Sequence, residues 1–159
     1  MAINMEEKMI EKTTRGRVRI LTWRRLPANA FDRPFLEALR RVLLETERES
    51  CISCIVLESG IPGVFSSGLD LRSLVAGLSC RREVFRAVSS VHRLIKVILK
   101  SRKIYIAALS GAVIGSAVSI AMACDFRTVS PDAWLWLPDP QYGGLMGDGT
   151  LTLISRSCG

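Results

Sequence analysis

The sequence predicts a single α/β domain, on three observations. Strand-like runs rich in β-branched residues alternate with stretches whose apolar residues recur every three or four positions. The clearest helical period steps through Val84, Val88, Val91, Ile95, Ile98 and Leu99. The uncharged stretch from Ile104 to Cys124 is broken by Gly111 and Gly115, as a strand-turn-helix core would be. At 159 residues the chain has room for one domain with a sizeable core, residues 1–159, and not for two comfortable ones.

Each element follows in order. "RVRILTW" (17–23) alternates and is rich in β-branched residues, so it reads as a strand. "LPANAFDRP" is a loop that ends on Asp32 as N-cap, with Pro34 in the first turn of a helix. Phe35, Leu36, Leu39, Val42 and Leu43 keep helical spacing to Thr46. "CIVLES" is a short strand in which Cys54 is expected to be buried, and "GIPGVFSSGLD" is a Gly-rich turn. The helix of 84–99 comes next, with His92 beside Val91 as a structural residue.

The run of 104–124 has a span's length over 21 positions and a Gly111-x-x-x-Gly115 pair, so a membrane helix must be weighed against it. "KIYIAALS" is β-branched and aromatic, Gly111 stops it, and "SAVSIAMAC" is a small-residue helix that only a core would accept. Serines at 110, 116 and 119 lower its apolarity further. No transmembrane segment is expected. "MAINMEEKMIEK" mixes acids with bases and has no apolar stretch, so it is no signal peptide, and a cytoplasmic protein is expected.

Charge and cysteine usage narrow the partners. A net charge of +7 favours an anionic ligand. Nucleic acid is not expected, because the basic residues are scattered, no recognition motif occurs and aromatics are only 6%. Five cysteines at irregular spacing make no disulfide framework and point to a reducing compartment. Cys51-Ile52-Ser53-Cys54 lacks a second Cys pair or a His cluster, so no metal site is expected.

Three segments carry a family resemblance. "GVFSSGLDL" (63–71) resembles the F-x-x-G-x-D-L loop of the crotonase superfamily, the enoyl-CoA hydratases and isomerases. "IAALSGAVIGSAVSIAMACDFRTVSPDAWLWLPD" (106–139) is similar to that family's strand-turn-helix and the strand that ends at a catalytic carboxylate. "RRLPANAFDRPFLEAL" resembles its N-terminal loop and helix. The resemblance implies the crotonase-like (ClpP/crotonase) β-β-α superhelix. In the family's pattern further helices follow, so the chain is expected to be an N-terminal core lacking the C-terminal helices that close the acyl pocket and build a trimer-based homo-oligomer.

The same resemblance implies a chemistry. Such enzymes bind an acyl-CoA thioester, with no further cofactor, and stabilise the enolate on its carbonyl oxygen with two backbone N–H groups, each worth about 3 kcal/mol. Here the donors would be the amides of Ser67 and Ser116. Ser67, Gly68, Leu69, Asp70, Leu71 and Ser116 would frame the substrate, with Asp70 holding its turn. The family's hydratases use two glutamates, which would fall at Ser119 and at Asp139. A serine cannot replace the first, so hydration should be negligible. A lone acid at the second position is the 3,2-trans-enoyl-CoA isomerase arrangement, in which one base moves a proton from C2 to C4. Asp148, between Gly147 and Gly149, reads as a turn residue. The expectation is therefore an enoyl-CoA isomerase-like protein with Asp139 as base. The alternatives are a hydratase and a non-catalytic paralogue that binds acyl-CoA or partner subunits.

Overall fold

The structure, a computed structural model, describes residues 9–73, 81–142 and 147–158. Two sheets and the helices between them are wound from a repeated strand-strand-helix unit. A hairpin opens the chain: β1 (Ile10–Arg15) turns through Gly16 and Arg17 into β2 (Val18–Trp23), antiparallel, with Ile10 opposite Trp23. After α1 (Arg33–Arg48) come β3 (Cys54–Ser59), β4 (Val64–Ser66) and α2 (Arg81–Leu99). The next turn is β5 (Ile104–Leu109), β6 (Ala112–Ile114) and α3 (Ser116–Ala123). The last is β7 (Phe126–Val129), β8 (Trp134–Trp136), a 3₁₀ turn (Asp139–Tyr142) and α4 (Thr150–Cys158).

The first strand of each unit enters one sheet, ordered β1-β2-β3-β5-β7, and the second enters another, ordered β4-β6-β8. Apart from the opening hairpin, every described pairing is parallel. Parallel neighbours need a crossover, and α1, α2 and α3 provide it while covering the apolar faces. This is the expected α/β superhelix.

Local chemistry explains the elements. Asp32 caps α1 by accepting from the Phe35 amide at 2.9 Å, and Pro34 occupies the first turn, as expected. Phe35, Leu36, Leu39, Val42 and Leu43 are fully buried along one face of α1, α2 packs against α1, and Val91 and Leu94 of α2 are fully buried too. α3 is buried almost all round and therefore needs no polar face. Among the described residues no helix is long and apolar enough to cross a membrane.

Three expectations change. β1 was not anticipated: only Ile10 of its six residues is buried, so the strand lacks the alternation that marks a half-buried one. The Gly-rich turn contains β4, and the tight turn after Gly111 contains β6; each is only three residues long, too short to show a period. Cys54 is half-buried rather than buried, and His92 is exposed on α2.

Candidate active site

The site begins with a buried asparagine. Asn29 takes a left-handed backbone at φ 51°, and its fully buried side chain ties three segments together. Its Oδ1 accepts from the Arg25 amide at 2.7 Å, while Nδ2 donates to Ser59 Oγ at 2.8 Å and to the Phe65 carbonyl at 3.1 Å. Trp23 donates its indole N–H to the same carbonyl at 3.0 Å and packs edge-on to Phe31 and Phe65. The loop before α1 is thereby fixed against the end of β4.

That anchoring shapes the loop of 66–70. Ser66 Oγ donates to the Asn29 carbonyl at 2.7 Å, the Phe31 amide donates to Gly68 O at 2.7 Å, and the Asp70 amide donates to Phe31 O at 3.0 Å. Asp70 pairs with Arg25 at 3.3 Å and accepts from the Arg72 amide at 3.0 Å. It holds the turn, as expected. Arg25 also pairs with Asp32 at 2.6 Å, so two carboxylates already offset its charge.

Gly68 brings this loop against the start of α3. Its φ is +78°, and a Cβ there would lie 2.5 Å from the Ile114 carbonyl oxygen and 3.3 Å from the Ser116 nitrogen. Only glycine permits so close an approach. The Ser116 amide, first in α3, has no acceptor within its helix and lies at the positive end of the helix dipole. Gly115 donates to the Trp136 carbonyl at 2.9 Å, which binds the end of β8 to the same corner.

The expectation of two free donors needs correction at Ser67. Its amide donates to the Ala28 carbonyl at 3.0 Å, so in this conformation that N–H is occupied. The anchoring that shapes the loop also takes up the donor.

A cleft of about 320 Å³ opens beside this corner. Ser67, Leu69, Leu71 and Ser116 line one part of it, Val88, Ile114 and Trp136 give apolar wall, and Asp139 and Asp148 contribute carboxylates. Of the residues expected to frame a substrate, Gly68 does not line this cleft, and Asp70 lines the adjoining one instead. Asp139 opens the 3₁₀ turn after β8 and has no hydrogen-bond or ion-pair partner among the described residues. A second cleft of about 380 Å³ adjoins the first through Ser67, Leu69 and Leu71 and is flanked by Arg25 and Arg72. Among the described residues Arg72 has no ion-pair partner, so its charge is the one available there.

Asp148 is more than a turn residue. It precedes α4, lines the cleft and accepts from Ser119 Oγ at 2.5 Å, from the Thr150 hydroxyl and from the Thr150 amide at 3.2 Å. Ser119 and Thr150 are themselves buried. A carboxylate thus reaches Ser119 from a segment 29 residues away. Sequence order hid this contact; its signals were the serine on a buried helix face and an acid set between two glycines.

The groups with displaced proton affinities lie elsewhere. Burial pushes the Cys124 thiol up to about 12, and burial with a 2.8 Å hydrogen bond to Glu47 pushes Tyr105 up. Burial, then the nearby Asp125, raises Cys54. None of these lines the cleft, so they are core groups kept neutral.

Known proteins share this fold. The chain is 27% identical over 150 residues to a mitochondrial methylglutaconyl-CoA hydratase of Mus musculus, which covers 94% of this chain and 47% of that protein. It is 29% identical over 147 residues to a peroxisomal fatty acid beta-oxidation multifunctional protein of Arabidopsis thaliana, 89% of this chain and 20% of the other. Among solved structures, an enoyl-CoA hydratase from Bacillus anthracis superposes with a TM-score of 0.88 at 25% identity, over 93% of this chain and 57% of its own. The chain therefore spans about half the length, or less, of these relatives. The enoyl-CoA hydratase/isomerase family model matches residues 13–159, nearly the whole sequence, and the chain belongs to the enoyl-CoA hydratase/isomerase family.

Proposed function

We propose that the chain binds an acyl-CoA thioester and shifts a carbon–carbon double bond by proton transfer through Asp139, as an enoyl-CoA isomerase does. The observation that carries this reading is the Asp139 carboxylate, without a partner among the described residues, in the wall of the cleft that Ser67 and Ser116 also line. A base needs a free lone pair facing the substrate, and the developing negative charge needs a fixed donor near the thioester oxygen.

The step follows from those two groups. Asp139 takes a proton from C2 of a 3-enoyl thioester, and the C–H electron pair delocalises onto the thioester oxygen. The Ser116 amide meets that oxygen, and the Ser67 amide exchanges Ala28 for it as charge develops. Asp139 then returns the proton at C4, the C2–C3 double bond forms and the carbonyl is restored. Proton and electrons balance with one acid, and no cofactor enters. Arg72 and the adjoining cleft are where the phosphates of CoA would find a cation, in keeping with the net charge of +7. We place the protein in the cytoplasm, with free thiols at Cys51, Cys54 and Cys124, although two of the relatives named above are mitochondrial and peroxisomal; cell fractionation checks this.

Asp139→Asn keeps the side chain's shape and removes the base. Isomerisation of a 3-enoyl-CoA is expected to fall about 100-fold or more. Asp139→Glu restores one methylene of reach and is expected to keep activity or raise it. Full activity in Asp139→Asn would reject the assignment. A chain that binds acyl-CoA yet is inert in every variant would make it a binding protein instead.

A further inference from the structure

We propose that the groove between α1 and the C-terminal half of α2 is a second binding site, for a small phosphate monoester with an apolar body. The groove shares no residue with the cleft that holds Asp139.

Two packed helices make the groove. Arg40 and Leu44 of α1 face Arg93, Lys96, Val97 and Lys100 of α2 and its last turn, around a space of about 330 Å³. Small-molecule sites span about 300–1,000 Å³, so a small ligand fits. Spacings of three and four residues keep each set on one helix face. Leu44 and Val97 are half-buried, whereas Arg93, Lys96 and Lys100 are exposed, so apolar lining sits below a charged rim. The complementary ligand is an anion with an apolar part.

The rim's charge is not balanced by the protein. Glu37 accepts from Arg93 at 2.5 Å and lies 3.8 Å from Arg40, so one carboxylate serves both arginines. Glu47 also lines the groove, but its Oε1 accepts from Ser101 Oγ at 2.7 Å and from the buried Tyr105 hydroxyl at 2.8 Å. Lys96 and Lys100 have no side-chain partner among the described residues. The Lys100 amide donates to the Lys96 carbonyl at 3.2 Å, which sets the two one helical turn apart. Like charges at that spacing repel and weaken the helix. The helix dipole favours cations at this end, yet it leaves that repulsion at the surface. A bound anion relieves it. Two uncompensated lysines match a phosphate monoester, which carries about −1.5 to −2 charge at pH 7.

Shape separates this ligand from larger anionic partners. From Arg93 to Lys100 the rim is only about 10 Å long. A docked helix is held by apolar anchors over two turns or more, and this groove offers apolar contact at Leu44 and Val97 alone. Binding to a bilayer uses apolar side chains that reach beyond the charges, and here they lie beneath them. A free ligand with a body of a few carbons meets both constraints.

Calorimetry on the full chain tests this with hexyl phosphate, beside inorganic phosphate as the head alone. Hexyl phosphate is expected to bind about tenfold more tightly than inorganic phosphate, the scale of burying about two methylenes. Lys96→Gln and Lys100→Gln are each expected to weaken it about tenfold, the scale of a lost hydrogen bond to a charged group. Both lysines are exposed, so the melting curves of these variants should match the wild type. Leu44→Ala is expected to narrow the advantage of hexyl phosphate and leave inorganic phosphate unchanged. Arg72→Gln, beside the other cleft, is expected to change neither. Equal affinities for the two phosphates, or unchanged binding in the lysine variants, overturns the proposal. Loss of binding in Arg72→Gln also overturns it and moves the ligand to the CoA cleft. Capture by phosphatidylserine vesicles without binding of hexyl phosphate would give the lysines to a bilayer. Tighter binding of a peptide of alternating Glu and Leu through the same lysines would give them to a protein. Either result overturns the proposal as well.

Discussion

Gly68 is the residue on which the site's geometry turns. Its positive φ and its approach to Ile114 O and Ser116 N leave no room for a side chain. The neighbouring atoms are backbone, so they cannot swing aside as the end of a side chain would. Gly68→Ala is expected to cost about 1–3 kcal/mol through strain at a left-handed position and to widen the corner between the two loops. Calorimetry checks the functional half: the wild type should bind an acyl-CoA more tightly than free CoA, and the substitution should erase the difference. Equal affinities in the wild type would remove the oxyanion role from Ser67 and Ser116. Serine side chains at both positions are compatible with that role because the donors are main-chain amides, but the amide of Ser67 must first leave Ala28.

At the scale of elements, the loop before α1 works as a clamp on the loop after β4. Asn29 makes two hydrogen bonds to other segments, at Ser59 and Phe65, and one to Arg25 within its own loop, and Ser66 and Phe31 add further ties. Removing Asn29 leaves a buried carbonyl with fewer donors and Ser59 with one partner less. Asn29→Ala is therefore expected to cost about 3 kcal/mol and to lower Tm by roughly 5 °C or more. Activity should fall with it, since the loop of 66–70 loses its anchor. An unchanged melting curve would mean that the Trp23–Phe31–Phe65 cluster holds the loop by itself. α1, α2, β3 and β5 were legible in the sequence because each is long enough to show its period. β4 and β6 were not: three residues carry no periodicity, and what makes them strands is pairing within their sheet; β8, equally short, came only from the resemblance, whose pattern has a strand ending at the carboxylate. β1 escaped for a related reason, since its partner β2, not its own pattern, makes it a strand.

At the scale of the whole molecule, both sheets end in outer strands that carry large apolar side chains. Phe126 and Val129 of β7 are 59% and 58% exposed, and Trp134 of β8 is 50% exposed. Phe85 and Leu99 on α2 are exposed as well. Sheet edges that pair with no strand among the described residues, and apolar surface of this kind, favour association. Self-association by the chain is therefore expected, with a homo-oligomer as the proposed state, and light scattering checks it. A sharp monomeric peak with a cooperative melt would count against it.

The sequence by itself determined the class of fold, the caps and faces of the longer helices, the reading of the 104–124 stretch as strand, turn and helix, and the family. These follow from short-range patterns: a period, a glycine, a capping aspartate, a motif. It also named Asp139 and Ser116, because position within a motif is a local property. Only the tertiary structure decided that the Ser67 amide is taken by Ala28, and that Asp148 lies on Ser119. Both facts join segments far apart in the chain, and such a contact is set by how the superhelix winds rather than by the residues beside it. The turn before α4 thus brings a carboxylate onto a serine of α3.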